Sequence, residues 1–175
     1  HRQDGSTHDD WWSSMSMAGL VNVLDQFAKS GGSTSQILVN ATKHWDGIYA
    51  SHFYNWKSGS FKGAYTRVEM YRLKADAPDG AVATLSKNLI APVLEKLLAD
   101  GTLVEYEIDT EAVHTEAPGM FAIVYVTANA DGLDKVHAAV QDSMKSNPLD
   151  GPAFDSMVDY SAHRDELARS VGTYK

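Results

Sequence analysis

The chain has 175 residues, 43% of them apolar and 22% charged, with a formal charge of −8 and no cysteine. That length suits one domain with a core of its own rather than two. The acidic balance leaves no basic patch for phosphates, so no nucleic-acid partner is expected; disulfide and thiolate chemistry are excluded, and no run of about 18 apolar residues offers a membrane span.

The sequence opens at His1 without a methionine, as a processed product would. Export to a periplasmic or extracellular location is the expectation if it is one. Residues 1 to 10 are polar and aperiodic and read as an arm. Trp11 and Trp12 follow, a pair expected to pack on the next helix or to clamp the arm. Met17, Leu20, Val21, Leu24, Phe27 and Ala28 recur at helical spacing, which predicts a helix from about Ser14 to Lys29, stopped by Gly31 and Gly32. Ser33 stands three residues before Gln36, a capping-box pattern. It opens a second predicted helix that carries Ile37, Leu38, Ala41 and Trp45. Residues 46 to 56 are rich in aromatic residues and read as a strand or extended arm, turned at Lys57 to Ser60.

Gly63 to Lys74 is the stretch that organises the rest. Strand side chains alternate with period two. Thr66, Val68 and Met70 therefore share one face, and Tyr65, Arg67, Glu69 and Tyr71 the other. The aliphatic face suits a core, and the polar aromatic face suits a lined cavity or a subunit interface. A loop follows, with Asp79 as a candidate N-cap. The next helix carries Val82, Leu85, Leu89, Ile90, Val93, Leu94, Leu97 and Leu98. Pro92 lies inside it and predicts a kink or break near Asn88 to Ala91.

Leu103 to Thr110 alternates again, with Leu103, Glu105, Glu107 and Asp109 on one face and Val104, Tyr106 and Ile108 on the other. Met120 to Ala128 is almost wholly apolar, as a central strand is. Gly132 to Lys145 is a predicted helix. Phe154, Ser156, Val158 and Tyr160 mark a last strand, and His163 to Ser170 a short terminal helix. From residue 64 to 161 the order is strand, helix, strand, strand, helix, strand. This predicts an α+β fold: an antiparallel four-stranded sheet of βαββαβ order with helices on one face. The helices are expected on the Val68 and Met70 side. Residues 1–62 form an N-terminal helical extension with a linking strand or arm, and residues 63–175 the α+β domain.

That order, with one sheet face left polar and aromatic, resembles the dimeric α/β-barrel superfamily of ferredoxin-like domains, and in particular uncharacterised bacterial members with an N-terminal extension. The resemblance covers about the last two-thirds of the chain and rests on element order, not on a diagnostic motif. It implies a homodimer in which two sheets face each other, with a small-molecule ligand in the cavity. The superfamily includes monooxygenases, isomerases, haem-binding enzymes and regulatory ligand-binding domains.

Two functional readings stand side by side. In the first the domain binds a small molecule, with cofactor-free oxygenation or isomerisation as its enzymatic form. His52 or Glu105 is then the base, and Arg67 holds an anionic oxygen. Tyr54, Tyr65, Glu69, Tyr71, Glu107 and His114 line the ligand site. In the second the chain is a non-catalytic structural or interaction protein, and the same residues only hold a dimer together, with Tyr71 in the interface. No cofactor is assigned. The histidines, His44, His52, His114 and His163, show no tight metal-ligand spacing. Walker, Gly-x-Gly-x-x-Gly and Gly-x-Ser-x-Gly motifs are absent, which sets aside the usual nucleotide and serine-hydrolase classes.

Overall fold

The computed structural model describes residues 10–31, 36–43, 46–113 and 118–171. The chain divides between Asp46 and Gly47 into two units. In the first, helix α1 spans Met17–Lys29 and starts where the Ser16 hydroxyl accepts from the Gly19 N–H at 3.1 Å. The Trp12 ring lies 5.7 Å from Phe27, so this tryptophan packs on the helix that follows it. Helix α2 is one turn, Gln36–Val39, shorter than its periodicity predicts. Ser33 of the expected capping box falls outside the described residues.

The second unit is a five-stranded antiparallel sheet with helices. Its strands are β1 (Ile48–Trp56), β2 (Tyr65–Leu73), β3 (Leu103–Val113), β4 (Met120–Thr127) and β5 (Val158–Arg169), in the order β1-β3-β4-β2-β5. Without β1 this is the strand order of the ferredoxin-like fold. The fifth strand is the correction to the four-stranded expectation. Residues 48–56, placed in the extension from sequence, pair with β3 at the sheet edge and not with β2.

Helices α3 (Ala81–Leu85) and α4 (Ala91–Ala99) are joined by a π-helical turn, Ser86–Ile90. Pro92 explains the turn. It lacks an N–H and its ring collides with the carbonyl four residues back, so the ladder is reset. The Ala91 N–H donates to Ser86 O, five residues back. The N-cap of α3 is Gly80, at φ +73°, and not Asp79. Helix α5 (Asp131–Ser146) begins where the Asn129 side chain accepts from the Gly132 N–H at 3.1 Å. Residues 150–157 then form helix α6, which takes in Phe154 and Ser156 of the expected last strand, while Val158 and Tyr160 do lie in a strand, β5. Residues 163–169 belong to β5, where the sequence reading has a helix.

The main core joins Leu85, Leu94, Leu97, Leu98 and Val136 of the helices to Tyr106, Ile108, Phe121, Ile123 and Tyr125 of the sheet. Tyr71 and Leu73 pack against it. The helices therefore cover the Tyr71 side. Val68 and Met70 lie on the opposite side with Ala122 and Val124, in a cluster that contains no helical residue among those described. This reverses the expected faces of β2. On β3 a bulge between Leu103 and Glu105 puts Leu103 in the main core and Val104 with Val126 on the other side. The bulge exchanges the faces of Leu103 and Val104 only; Tyr106 and Ile108 lie in the main core and Glu105, Glu107 and Asp109 on the other side, as their alternation predicts.

Candidate functional site

The helix-free side of the sheet is assembled from rows of paired residues. Ser51, Asp109, Ala122, Met70 and Arg164 form one row; Tyr54, Glu107, Val124, Val68 and Glu166 form the next. Trp56 and Glu105 pair in the row beyond. The two central strands supply an aliphatic floor, and Glu105, Glu107, Asp109 and Glu111 run along β3 on the same side. Tyr54 and Trp56 stack with ring centroids 5.7 Å apart, each 42% exposed. Arg164 donates to the Met70 sulfur at 2.9 Å, and a hollow with room for about one water lies between Met70, Arg164, Tyr49 and Glu111.

Asp109 is the unusual member of this surface. It is 2% exposed, and its Oδ1 has no hydrogen-bond partner among the described residues. Burial pushes its carboxyl above the usual range, against the pull of the Ser51 hydrogen bond and of His52 and with the help of the Glu105 charge. A buried carboxyl of this kind favours its neutral form.

The helix side of β2 carries a second polar group. Glu69 accepts from Arg67 Nε at 3.0 Å, from the Tyr71 hydroxyl at 3.1 Å and from the Tyr125 hydroxyl at 3.2 Å. Arg67 also donates to Asp165 at 2.9 Å. Burial, the Glu69 charge and the hydrogen bond to it all raise the Tyr71 phenol. Residues 160–163 bulge out of β5 opposite Tyr71, between the pairs Met70–Arg164 and Arg72–Asp159. The bulge delivers His163, which stacks on Tyr71 with centroids 4.4 Å apart; its Nδ1 lies 3.0 Å from the Met70 carbonyl oxygen and its Nε2 3.4 Å from Asp165 Oδ1.

The predicted site residues are thereby parted. Arg67, Glu69 and Tyr71 lie on the helix side; Glu105, Glu107 and Tyr54 lie on the helix-free side. Pairs in register share a face, and Arg67 is in register with Tyr125 and Tyr106, whereas Glu105 is in register with Val126. The expected cluster of Arg67 and Glu69 with Glu105 and Glu107 does not form. Tyr65 follows Arg67 by alternation onto the helix side. His52 sits in a β1 bulge, its Nε2 2.7 Å from the Thr110 hydroxyl, so His52, Arg67 and Glu105 do not converge. His114 and His44 fall outside the described residues. Asp109 carries a signal that the sequence holds, since it continues the alternation of Glu105 and Glu107. Arg164 and His163 are hidden by the helical look of their segment. Among the described residues no three His, Asp or Glu side chains are grouped to hold a metal ion, and no helix is long and apolar enough to cross a membrane.

No protein-family model matches the chain, and no curated protein matches it. Solved structures do resemble it. One is a proposed monooxygenase from Lactobacillus acidophilus NCFM, at 14% identity and a TM-score of 0.47, covering 68% of this chain and 50% of that one. The chain thus spans half the length of that structure. A dimeric protein of unknown function and ferredoxin-like fold from Bacteroides fragilis NCTC 9343 aligns at 14% identity over 63% of this chain and 99% of its own, with a TM-score of 0.40. A dimeric ferredoxin-like protein from an uncultured marine organism aligns at 9% identity over 65% and 93%, with a TM-score of 0.47. The ferredoxin-like fold itself follows from the strand order and the single helical layer.

Proposed function

We propose that this protein binds a small molecule as a homodimer, with the helix-free sheet faces of two copies closed on each other as an α/β barrel. The observation that carries the reading is the aliphatic floor of Val68, Met70, Ala122, Val124 and Val126, to which no described helix contributes. No described helix covers that face, yet its aliphatic side chains are only 3–8% exposed within one copy, so what a second copy would cover is the rim, where Tyr54 and Trp56 are each 42% exposed. Carboxyl groups and an aromatic pair around that floor give a closed barrel polar anchors for a ligand. In an enzymatic form, cofactor-free oxygenation or isomerisation, Glu105 is the proton acceptor, because its carboxyl lies on the helix-free side and Arg67 does not.

The hollow on this face within one copy holds about one water, and this favours the rival reading of a non-catalytic dimer packed solid. Sedimentation equilibrium on the full chain tests the common core of both. Wild type is expected as a dimer at micromolar concentration, and Tyr54→Arg, at a position 42% exposed in one copy, as a folded monomer with unchanged far-UV circular dichroism. A monomeric wild type sinks both readings. Mass spectrometry of the purified dimer then separates them, since a ligand retained under native conditions supports the first and an empty dimer supports the second.

A further inference from the structure

We infer that the end of the sheet holds a further small-molecule site, for an uncharged alcohol with a compact, ring-sized apolar body, whose hydroxyl pairs with that of Thr110. The cleft lies where β2 ends, at Leu73, and β4 begins, at Met120, with Val82 of helix α3 on one wall. Its volume is about 230 Å³. An apolar cavity of about 150 Å³ is enough to take benzene. The site does not rest on the sheet-paired dimer, since all of its lining residues belong to one copy.

The walls are fixed by the fold. The Leu73 N–H donates to the Gly119 carbonyl at 3.0 Å, which ties the end of β2 to the start of β4. Gly119 enters β4 at φ +85°, in the left-handed region that favours glycine. Val82 is held between Ala81 and Leu85 of its own helix, each 1% exposed. Leu73, Val82 and Met120 make the lining largely aliphatic. Water against such walls has few polar partners, so an apolar body displaces it favourably. An apolar lining with a few placed polar groups is the usual form of a small-molecule site.

The polar anchor is Thr110, whose hydroxyl lies 2.7 Å from Nε2 of His52, the residue that the β1 bulge leaves unpaired. If that nitrogen accepts, the Thr110 oxygen keeps its lone pairs for a ligand. If it donates, the Thr110 proton is left over. An alcohol both donates and accepts, so it pairs with Thr110 in either case, whereas a ketone pairs in one only. No basic side chain is among the described lining residues, so a carboxylate finds no counter-charge there. The charged lining group, Glu111, has a partner of its own within the chain, so the cleft calls for no cation.

Titration of the isotope-labelled full-length chain with benzyl alcohol, toluene, benzoate and benzylamine, read by amide chemical shifts, tests this. Benzyl alcohol is expected to bind at millimolar concentration and to shift the amides of Val82, Thr110 and Gly119. Toluene should bind about threefold more weakly or worse, and benzoate not at all. Thr110→Val should weaken benzyl alcohol by about threefold to tenfold, the scale of one hydrogen bond, and leave toluene unchanged. Val82→Phe fills the cleft from a partly buried position and should abolish binding of both, which keeps the test decisive should Thr110→Val fail to fold. Failure of benzyl alcohol to bind, or shifts confined to amides away from the cleft, overturns the inference. So does benzoate or benzylamine binding as tightly as the alcohol, an alcohol affinity that Thr110→Val leaves unchanged, or binding that survives Val82→Phe.

Discussion

Asp109 and Glu69 are two carboxyls with opposite consequences for stability. The folded-state pKa of Asp109 lies above its unfolded value, because burial disfavours the charged form. Below the unfolded value both states hold the proton. As pH rises past it the unfolded chain releases its proton while the folded chain keeps it, so stability falls until the folded pKa is passed. Asp109→Asn removes that slope. Its expected effect at pH 7 is a gain of about 1 kcal/mol, the scale of one unsatisfied buried polar atom, with little change near pH 4. Urea unfolding at both values checks it, and a larger loss at pH 7 than at pH 4 would mean that Asp109 is ionised and paired. Asp159 runs the other way. The Ser161 hydroxyl, then Arg72, then the Ser161 N–H hold it at about 2, so its contribution is present at neutral pH and is lost as pH falls through about 2. Glu69 holds three donors together, so Glu69→Ala leaves Arg67, Tyr71 and Tyr125 short of an acceptor. A loss of roughly 1–3 kcal/mol is expected. Tyr71 stacks on Phe121 at 5.6 Å and meets Phe154 edge-on at 5.3 Å, so Tyr71→Ala should cost about 3–5 kcal/mol in thermal unfolding and leave the oligomeric state alone. That reverses the interface role which its alternation implies.

Among the elements, the ones readable from sequence are those whose own residues decide them. Pro92 announces the break between α3 and α4, and the run from Met120 announces a central strand. Helix α5 shows its period because one face meets the sheet and the other meets water. What stayed hidden was set by partners distant in sequence. The segment His163 to Arg169 is rich in Glu, Leu, Ala and Arg, which favour helix, yet pairing with β2 imposes a strand. The bulges at Val104, His52 and residues 160–163 each shift the alternation, and no local residue pattern marks them. The acidic row of β3 keeps the face that its alternation predicts; β2 is the strand whose faces are exchanged, with Arg67 in register with Tyr125 and Tyr106, and the candidate site divides there. Gly132 tests how tightly one of these elements is seated. A Cβ there would stand 2.7 Å from the Thr127 Cβ and 3.3 Å from the Thr102 carbonyl oxygen, neither of them a flexible side-chain end. Gly132→Ala gains helix propensity yet has to push α5 off β4, so a net loss of roughly 1–3 kcal/mol is expected in chemical denaturation. A neutral or stabilising result would mean that the helix start shifts freely.

At the scale of the molecule, the aromatic rim and the acidic row make opposing demands on assembly. Val68, Met70, Ala122 and Val124 are already buried within one copy, so the apolar gain on closing two faces comes from the half-exposed Tyr54 and Trp56 at their edge. The carboxyl groups of β3 beside them oppose it, since two copies bring Glu105, Glu107, Asp109 and Glu111 of one toward those of the other. Screening weakens the second effect and leaves the first in place. Raising salt from about 50 mM to about 500 mM shortens the Debye length to within a few ångströms of a contact distance. The dimer should therefore tighten, by about 1–2 kcal/mol for several charge pairs some 10 Å apart in a watery interface. Lowering the pH toward the carboxylate range should act in the same direction, because neutralised acids no longer repel. Sedimentation equilibrium across a salt series reads this directly. Dissociation by salt would mean that Arg164 of one copy reaches the acidic row of the other and that ion pairs, rather than the aromatic rim, hold the faces together.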